Sequence, residues 1–261
     1  MYTADSLHNM FIGAMCAAGS LNVDQYGYPA FILKILNFIL GGLWLIVNYT
    51  DNQVYDYPLV KKKYVMLLIL APFILTESIV QMLYFLNMKA DVITSCCGSL
   101  FGSDRASVGS DIAGLPVKIS MIGFYTSFVI MLIFGIIYLL KRKFGRLFSL
   151  SGGVFFIFSC IALISFISLY FYELPTHHCP FCILQKEYGY VGYILYAALL
   201  TGAVSGLGVG ILASFNKISS LSNILPLIQK RLTLLCLFSY LLFTGISSYR
   251  IISTDFTLGV F

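Results

Sequence analysis

The chain has 261 residues, a net charge of +5 and a mean hydropathy of +0.90. Hydrophobic residues make up 59% of it and charged residues only 10%, which is too apolar for an ordinary water-soluble domain and excludes that class. The composition therefore predicts an integral membrane protein, with the lipid bilayer as part of its solvent.

Apolar runs along the chain predict six membrane-spanning helices, because a span needs roughly 20 consecutive apolar residues. An outer segment, residues 1–28, precedes a transmembrane domain at 29–252 and an outer tail at 253–261. The fifth run is longer than a bilayer requires, so its first turns project above the membrane or the helix tilts. The predicted spans are 29–49, 64–86, 116–140, 147–172, 181–215 and 232–252.

Basic residues concentrate in three alternate loops, which hold ten of the sixteen Lys and Arg residues. The positive-inside rule makes these loops cytoplasmic. Both termini and the loops 87–115 and 173–180 then face outward, and we interpret the membrane as a bacterial inner membrane. Since the charge is explained by topology, we expect no nucleic-acid partner.

The seven cysteines divide into two groups by this topology. Two of them, Cys160 and Cys236, fall within predicted spans and are interpreted as small buried apolar residues. The other five lie on or near the outer side, where disulfides form and persist. These are Cys16, Cys96, Cys97, Cys179 and Cys182.

A Cys-Pro-Phe-Cys motif stands at the predicted start of the fifth span. Because proline favours the first helical position, the motif predicts Cys179 as a helix N-cap and Cys182 in the first turn. Thiolates there would be stabilised by the positive end of the helix dipole. Lys186 follows Cys182 by four residues and would add a cation on the same helical face.

The run Cys-Pro-Phe-Cys-Ile-Leu-Gln-Lys at 179–186 resembles the Cys-x-x-Cys segment of DsbB-type membrane disulfide-generating proteins. The order of elements resembles vitamin K epoxide reductase homologues: an outer loop with shuttle cysteines, two further spans, then Cys-x-x-Cys at the outer mouth of the last core helix. The resemblance covers roughly 64–215, the second to fifth spans. It implies an all-α fold with a four-helix core bundle and two flanking helices.

The resemblance also implies a function, that of a membrane thiol-disulfide oxidoreductase. Electrons would pass between an external thioredoxin-like dithiol protein and a membrane quinone, ubiquinone or menaquinone, in either direction. Cys179 would exchange disulfides with a loop thiol, and Cys182 would face the quinone. Lys186 would take the place of the family's basic residue beside the quinone, with Gln185 next to it.

The loop cysteines differ from that family pattern. Family loop cysteines are separated by several residues, whereas Cys96 and Cys97 are adjacent, and a disulfide between neighbours closes a strained ring. We therefore expect Cys16, in the outer N-terminal segment, to pair with one of them.

Glu77 and Gln81 lie near the middle of the second predicted span. A carboxyl group is costly to bury in a membrane, so Glu77 is a candidate proton relay or hydrogen-bond partner of the quinone head group. Gln81, one turn away, joins it as a candidate quinone ligand. The alternative is that Glu77 ties two helices together.

Two other functions fit the same cysteines. A protein that binds or transports mercury, copper or zinc would use them as ligands, since soft metals prefer thiolates. A non-catalytic subunit of a larger membrane complex, with other membrane subunits as partners, would use them as a structural disulfide. The candidate metal ligands are Cys96, Cys97, Cys179, Cys182, His177 and His178.

Overall fold

The structure, a computed structural model, describes residues 2–89, 108–256 and 258. Over these ranges the regular elements are all helical, and six helices are long and apolar enough to cross a membrane, as predicted. The six helices, called spans 1 to 6 below, are Gly27–Asp51, Val60–Asn87, Val117–Lys141, Gly145–Tyr172, Val191–Ala213 and Leu225–Ser253.

Several shorter helical segments accompany the six spans. Among the described residues, three α-helices lie outside the membrane-spanning segments, at Tyr2–Leu7, Ala17–Leu21 and Val108–Ala113. Span 4 contains one π-helical turn, Leu163–Ile167. Single turns of 3-10 helix occur at His8–Met10, Cys182–Leu184, Lys186–Tyr188 and Ser219–Leu221.

The spans form where the sequence is apolar enough, with mean hydropathies between 1.6 and 2.5. Helices are favoured there because every backbone N–H and C=O must be bonded within the segment in lipid. The predicted bounds of spans 1 to 4 agree with the structure to within a few residues. Span 6 begins at Leu225 rather than at residue 232, because Pro226 occupies its first turn and starts the helix within a polar stretch.

Packing among the spans is unequal. Spans 3, 4, 5 and 6 pack together, whereas span 2 packs chiefly on span 1, which also contacts span 5. A four-helix core with two flanking helices is therefore confirmed. The prediction that the second to fifth spans form this core is wrong, because only Leu70 and Tyr84 of span 2 are buried while span 6 is closely packed on span 5.

Aromatic side chains fill the centre of this core. The ring of Phe155 lies 5.4 Å from that of Phe124 and 4.7 Å from that of Tyr240. The Tyr240 hydroxyl donates a hydrogen bond to the carbonyl of Gly152, 3.0 Å away. Span 5 packs closely against span 6 at Gly202, which has no side chain. A Cβ added there would lie 2.4 Å from the Tyr240 ring.

The bundle has two different ends. At one end, called the cysteine end, lie residues 2–26, 173–190 and 254–256. Arg250 and Thr254 both bond to the carboxylate of Glu173 there, each at 2.9 Å, which ties the end of span 6 to the end of span 4. At the other end, called the basic end, lie the connections 52–59, 142–144 and 214–224.

Candidate functional site

Three cysteine sulfurs come together at the cysteine end. The Sγ atoms of Cys16, Cys179 and Cys182 all lie within 4.8 Å of one another. Those of Cys16 and Cys179 are 3.4 Å apart, a non-bonded contact. Their residues are 0%, 0% and 5% exposed. These three residues are called the thiol cluster below.

The loop that carries Cys179 and Cys182 is not the start of a helix. Span 5 begins at Val191, so the predictions that its helix starts at residue 181 and that Cys179 is its N-cap are wrong. The chain instead forms a 3-10 turn at Cys182–Leu184 and becomes extended at Gln185. Left-handed conformations at Gly189 and Tyr190 then separate the loop from the helix.

This loop folds back onto the first turns of span 5. Phe181, Cys182, Ile183 and Leu184 are buried as a result. A Cβ added at Gly192 would lie 2.9 Å from the carbonyl carbon and oxygen of Ile183, so only glycine permits this approach. Non-helical backbone at this position is possible because it is enclosed by protein.

Two tyrosines from neighbouring spans hold the backbone of the motif. The hydroxyl of Tyr172, in span 4, donates a hydrogen bond of 2.6 Å to the carbonyl of Cys179. The hydroxyl of Tyr196, in span 5, donates to the carbonyl of Pro180. Because carbonyl groups in buried loops need partners, these bonds fix the position of Cys179.

Cys16 reaches the cluster because the N-terminal segment folds back over the cysteine end. Residues Ala17–Leu21 form a short buried helix. The hydroxyl of Tyr84, in span 2, donates to the carbonyl of Ser20 at 2.8 Å, and the side-chain amide of Gln185 donates to the carbonyl of Met15. Gln185 therefore links the N-terminal segment to the motif.

The two histidines have different surroundings. Nε2 of His177 lies 3.4 Å from the sulfur of Cys182, and burial lowers the pKa of this imidazole. A neutral imidazole beside a thiol can accept its proton. His178 instead donates from Nδ1 to the carbonyl of Ile164, 2.9 Å away in the π-helical turn of span 4.

Lys186 does not lie where the sequence placed it. It is exposed, and the extended residue Gln185 separates its 3-10 turn from that of Cys182. The prediction of a shared helical face is therefore wrong. The motif is not helical at this point because the chain must turn back to cover the first turn of span 5.

Glu77 and Gln81 lie between spans 1 and 2. The Glu77 carboxylate is 3.4 Å from the Lys34 ammonium and accepts a 3.3 Å hydrogen bond from Asn37, while Lys34 also donates to Gln81 at 2.8 Å. These contacts agree with the alternative that Glu77 ties two helices together.

A cavity of about 300 Å³ opens beside this polar group, and Lys34 and Gln81 contribute to its lining. Phe31 also lines it, and its ring packs edge-on against that of Phe181, with centroids 5.3 Å apart. Since Phe181 stands between Cys179 and Cys182 in the sequence, the contact between the Phe31 and Phe181 rings links the lining of the cavity to the motif.

Cys96 and Cys97 lie outside the described residues, so a bond between either of them and Cys16 stays a prediction. Cys236 is buried in span 6, and Cys160 is partly buried in span 4. The cysteine contact that the structure gives Cys16 is with Cys179, which sequence reasoning did not foresee.

Sequence reasoning also missed Tyr172, Tyr196 and Gly192. Aromatic residues of membrane proteins commonly form interfacial belts and pack helices, and no local pattern distinguishes these tyrosines from the others. Gly192 follows the motif closely, but its role depends on a backbone that returns to meet it. Comparisons with family models, with curated proteins and with solved structures found no match.

Proposed function

We propose that this protein is a membrane thiol-disulfide oxidoreductase that passes electrons between an external dithiol protein and a membrane quinone. The observation that supports it best is the contact among three buried thiols, two of them in a Cys-x-x-Cys motif, at one end of a transmembrane bundle. Disulfide exchange needs an attacking thiolate next to the disulfide sulfur, and Cys16 has that position relative to Cys179.

The proposed reaction balances with two electrons and two protons. Cys16 attacks a Cys179–Cys182 disulfide, forming a Cys16–Cys179 disulfide and releasing the Cys182 thiolate. An external dithiol reduces the new disulfide in two exchange steps, becomes a disulfide itself and leaves three thiols in the cluster. Cys179 and Cys182 then give two electrons and two protons to the quinone, which becomes hydroquinone as their disulfide re-forms.

Each neighbouring group has a role in this scheme. His177 accepts the proton of Cys182, because Nε2 of its half-buried imidazole lies 3.4 Å from that sulfur. The tyrosine bonds to the motif carbonyls hold Cys179 between its two exchange partners. The external dithiol reaches the cluster directly or through Cys96 and Cys97, the shuttle that the family resemblance implies.

We place the quinone head group in the cavity beside Phe31. Lys34 and Gln81 supply hydrogen-bond donors there, and a cation would stabilise the anion of a reduced quinone. Lys34 replaces Lys186 as the proposed basic residue, because Lys186 is exposed and separated from the motif turn. Replacing Gln81 by leucine is then expected to raise the KM for quinone more than it lowers kcat.

We also propose that the cysteine end faces outward, in a bacterial inner membrane. The basic residues of the opposite end support this orientation through the positive-inside rule. The outer side is also the compartment in which disulfides persist.

The decisive experiment measures quinone reduction in lipid nanodiscs with a dithiol protein as the electron donor. Cys182→Ser is expected to abolish turnover, and Cys160→Ala, a cysteine of span 4 outside the cluster, should retain it. Full activity of Cys182→Ser would disprove the proposed function.

A further inference from the structure

We propose that the thiol cluster, when reduced, binds one Zn²⁺ through Cys16, Cys179 and Cys182, with His177 as the fourth ligand. This inference goes beyond electron transfer and does not depend on it. It assigns a metal site to four residues that come from two separate parts of the chain.

The distances among the three sulfurs fit a tetrahedral zinc site. With Zn–S bonds of about 2.3 Å, two sulfurs around a tetrahedral ion lie about 3.8 Å apart. The three sulfurs lie within 4.8 Å of one another, with Cys16 and Cys179 at 3.4 Å. A ring nitrogen and a sulfur on the same ion lie about 3.5 Å apart, and Nε2 of His177 is 3.4 Å from the sulfur of Cys182. The ring nitrogens of His177 are not within 4.8 Å of all three sulfurs, so the imidazole moves toward the other two when the ion binds.

Charge favours Zn²⁺ over Cu⁺ at this position. Three thiolates carry three negative charges, so Zn²⁺ would leave a net charge of −1 and Cu⁺ a net charge of −2. Since all three cysteines are at most 5% exposed, the larger residual charge would be more costly to bury. A neutral imidazole completes the zinc site without changing its charge.

The surroundings hold Cys179 in place before any ion arrives and keep His177 beside the cluster. Tyr172 bonds to the Cys179 carbonyl, and its ring meets the His177 ring edge-on, with centroids 4.5 Å apart. Groups that orient the ligands contribute strongly to metal affinity. Binding would release three thiol protons and transfer no electrons.

Zinc occupancy would also regulate the proposed oxidoreductase. This point rests on the proposed function, because a thiolate bound to Zn²⁺ cannot at the same time form a disulfide. Zinc would then keep the cluster reduced until a chelator removes it.

Anaerobic titration of the reduced full-length protein in nanodiscs with Co²⁺ tests the site without an activity assay. We expect one Co²⁺ per chain, with the thiolate charge-transfer band and the d–d bands of tetrahedral cobalt, and displacement of that ion by Zn²⁺. Absence of a stoichiometric tetrahedral spectrum would overturn the proposal.

Matched variants show whether the spectrum belongs to this cluster. Cys16→Ser is expected to lower affinity by about 100-fold or more, since even groups that only orient ligands change it by about 10- to 100-fold. His177→Ala should shift the d–d bands. Cys160→Ala and the double variant Cys96→Ala, Cys97→Ala should bind as the unmodified protein does, and loss of binding in the double variant would overturn the proposal.

X-ray absorption of the zinc-loaded, unmodified protein makes the test independent of how well the variants fold. Three sulfur neighbours at about 2.3 Å and one nitrogen at about 2.0 Å are expected. Two or fewer sulfur neighbours would contradict the proposal. Quinone reduction by zinc-free protein is measured separately, so either proposal can fail while the other stands.

Discussion

The two ends of the bundle bury reactive groups in different ways. At the basic end, the fully buried Asp51 carboxylate lies 2.9 Å from the Lys63 ammonium and accepts a 2.7 Å hydrogen bond from the N–H of Leu59. At the cysteine end, buried thiols contact one another and an imidazole. Complementary charges stabilise a fold, whereas adjacent thiols can exchange disulfides or bind a metal, so the proposed chemistry belongs to the cysteine end.

The largest effect on stability is expected from Lys63→Met at the basic end. Removing one partner of a buried ion pair leaves an uncompensated charge and costs about 3–5 kcal/mol of unfolding free energy. Denaturation in nanodiscs measures this loss.

The double variant Lys63→Met, Asp51→Leu is the control, because it removes both charges and should recover part of the stability. Disulfide formation in the thiol cluster should be unchanged in the folded fraction of both variants. Slower disulfide formation there would contradict the division between the two ends.

A smaller effect is expected from Gly192→Ala at the cysteine end. The added methyl group would meet the backbone of Ile183, and overpacking of this kind costs about 1–3 kcal/mol. Gly41→Ala in span 1 is the matched control, because an added Cβ there has no neighbour within 4 Å among the described residues.

Displacement of the motif loop should also slow disulfide formation at Cys179 in Gly192→Ala. Thiol-trapping rates and melting temperatures of the two glycine variants, measured side by side, check both effects. Equal behaviour of the two variants would show that the loop does not pack on span 5.

An effect on stability of the same order or smaller is expected from Tyr172→Phe. The variant leaves the carbonyl of Cys179 without this donor, at a cost of about 1–3 kcal/mol if no water replaces the hydroxyl. Because Cys179 would then be less firmly held, its exchange with Cys16 should slow by more than the stability loss alone suggests.

Tyr249→Phe, on the exposed surface of span 6, is the control for that substitution. Its melting temperature and exchange rate should match those of the unmodified protein. An unchanged exchange rate in Tyr172→Phe would show that the Tyr172 hydroxyl does not position Cys179 for exchange.

The sequence was sufficient to predict the spans and the motif, because lipid imposes a length and a composition on every helix that crosses it. It was not sufficient to predict the shape of the motif loop. Proline after Cys179 favours a helix locally, but left-handed residues at Gly189 and Tyr190 and the fit of Gly192 against Ile183 favour a folded-back loop. These contacts form only in the folded loop, so the local sequence does not predict them.

The same reason explains why the contact between Cys16 and Cys179 was not predicted. Between Cys16 and Cys179 stand 162 residues, and the contact depends on the bonds that Tyr84 and Gln185 make to the N-terminal segment. The sequence also does not show which four spans form the core. Spans 2 and 6 are both apolar, and they differ in the helices that they pack against.

A disulfide map of the oxidised full-length protein tests the central claim most directly. Peptides separated without reduction should link Cys179 to Cys16, to Cys182 or to a mixture of the two, with Cys160 and Cys236 as thiols. Oxidised protein in which Cys179 remains a thiol would contradict the account.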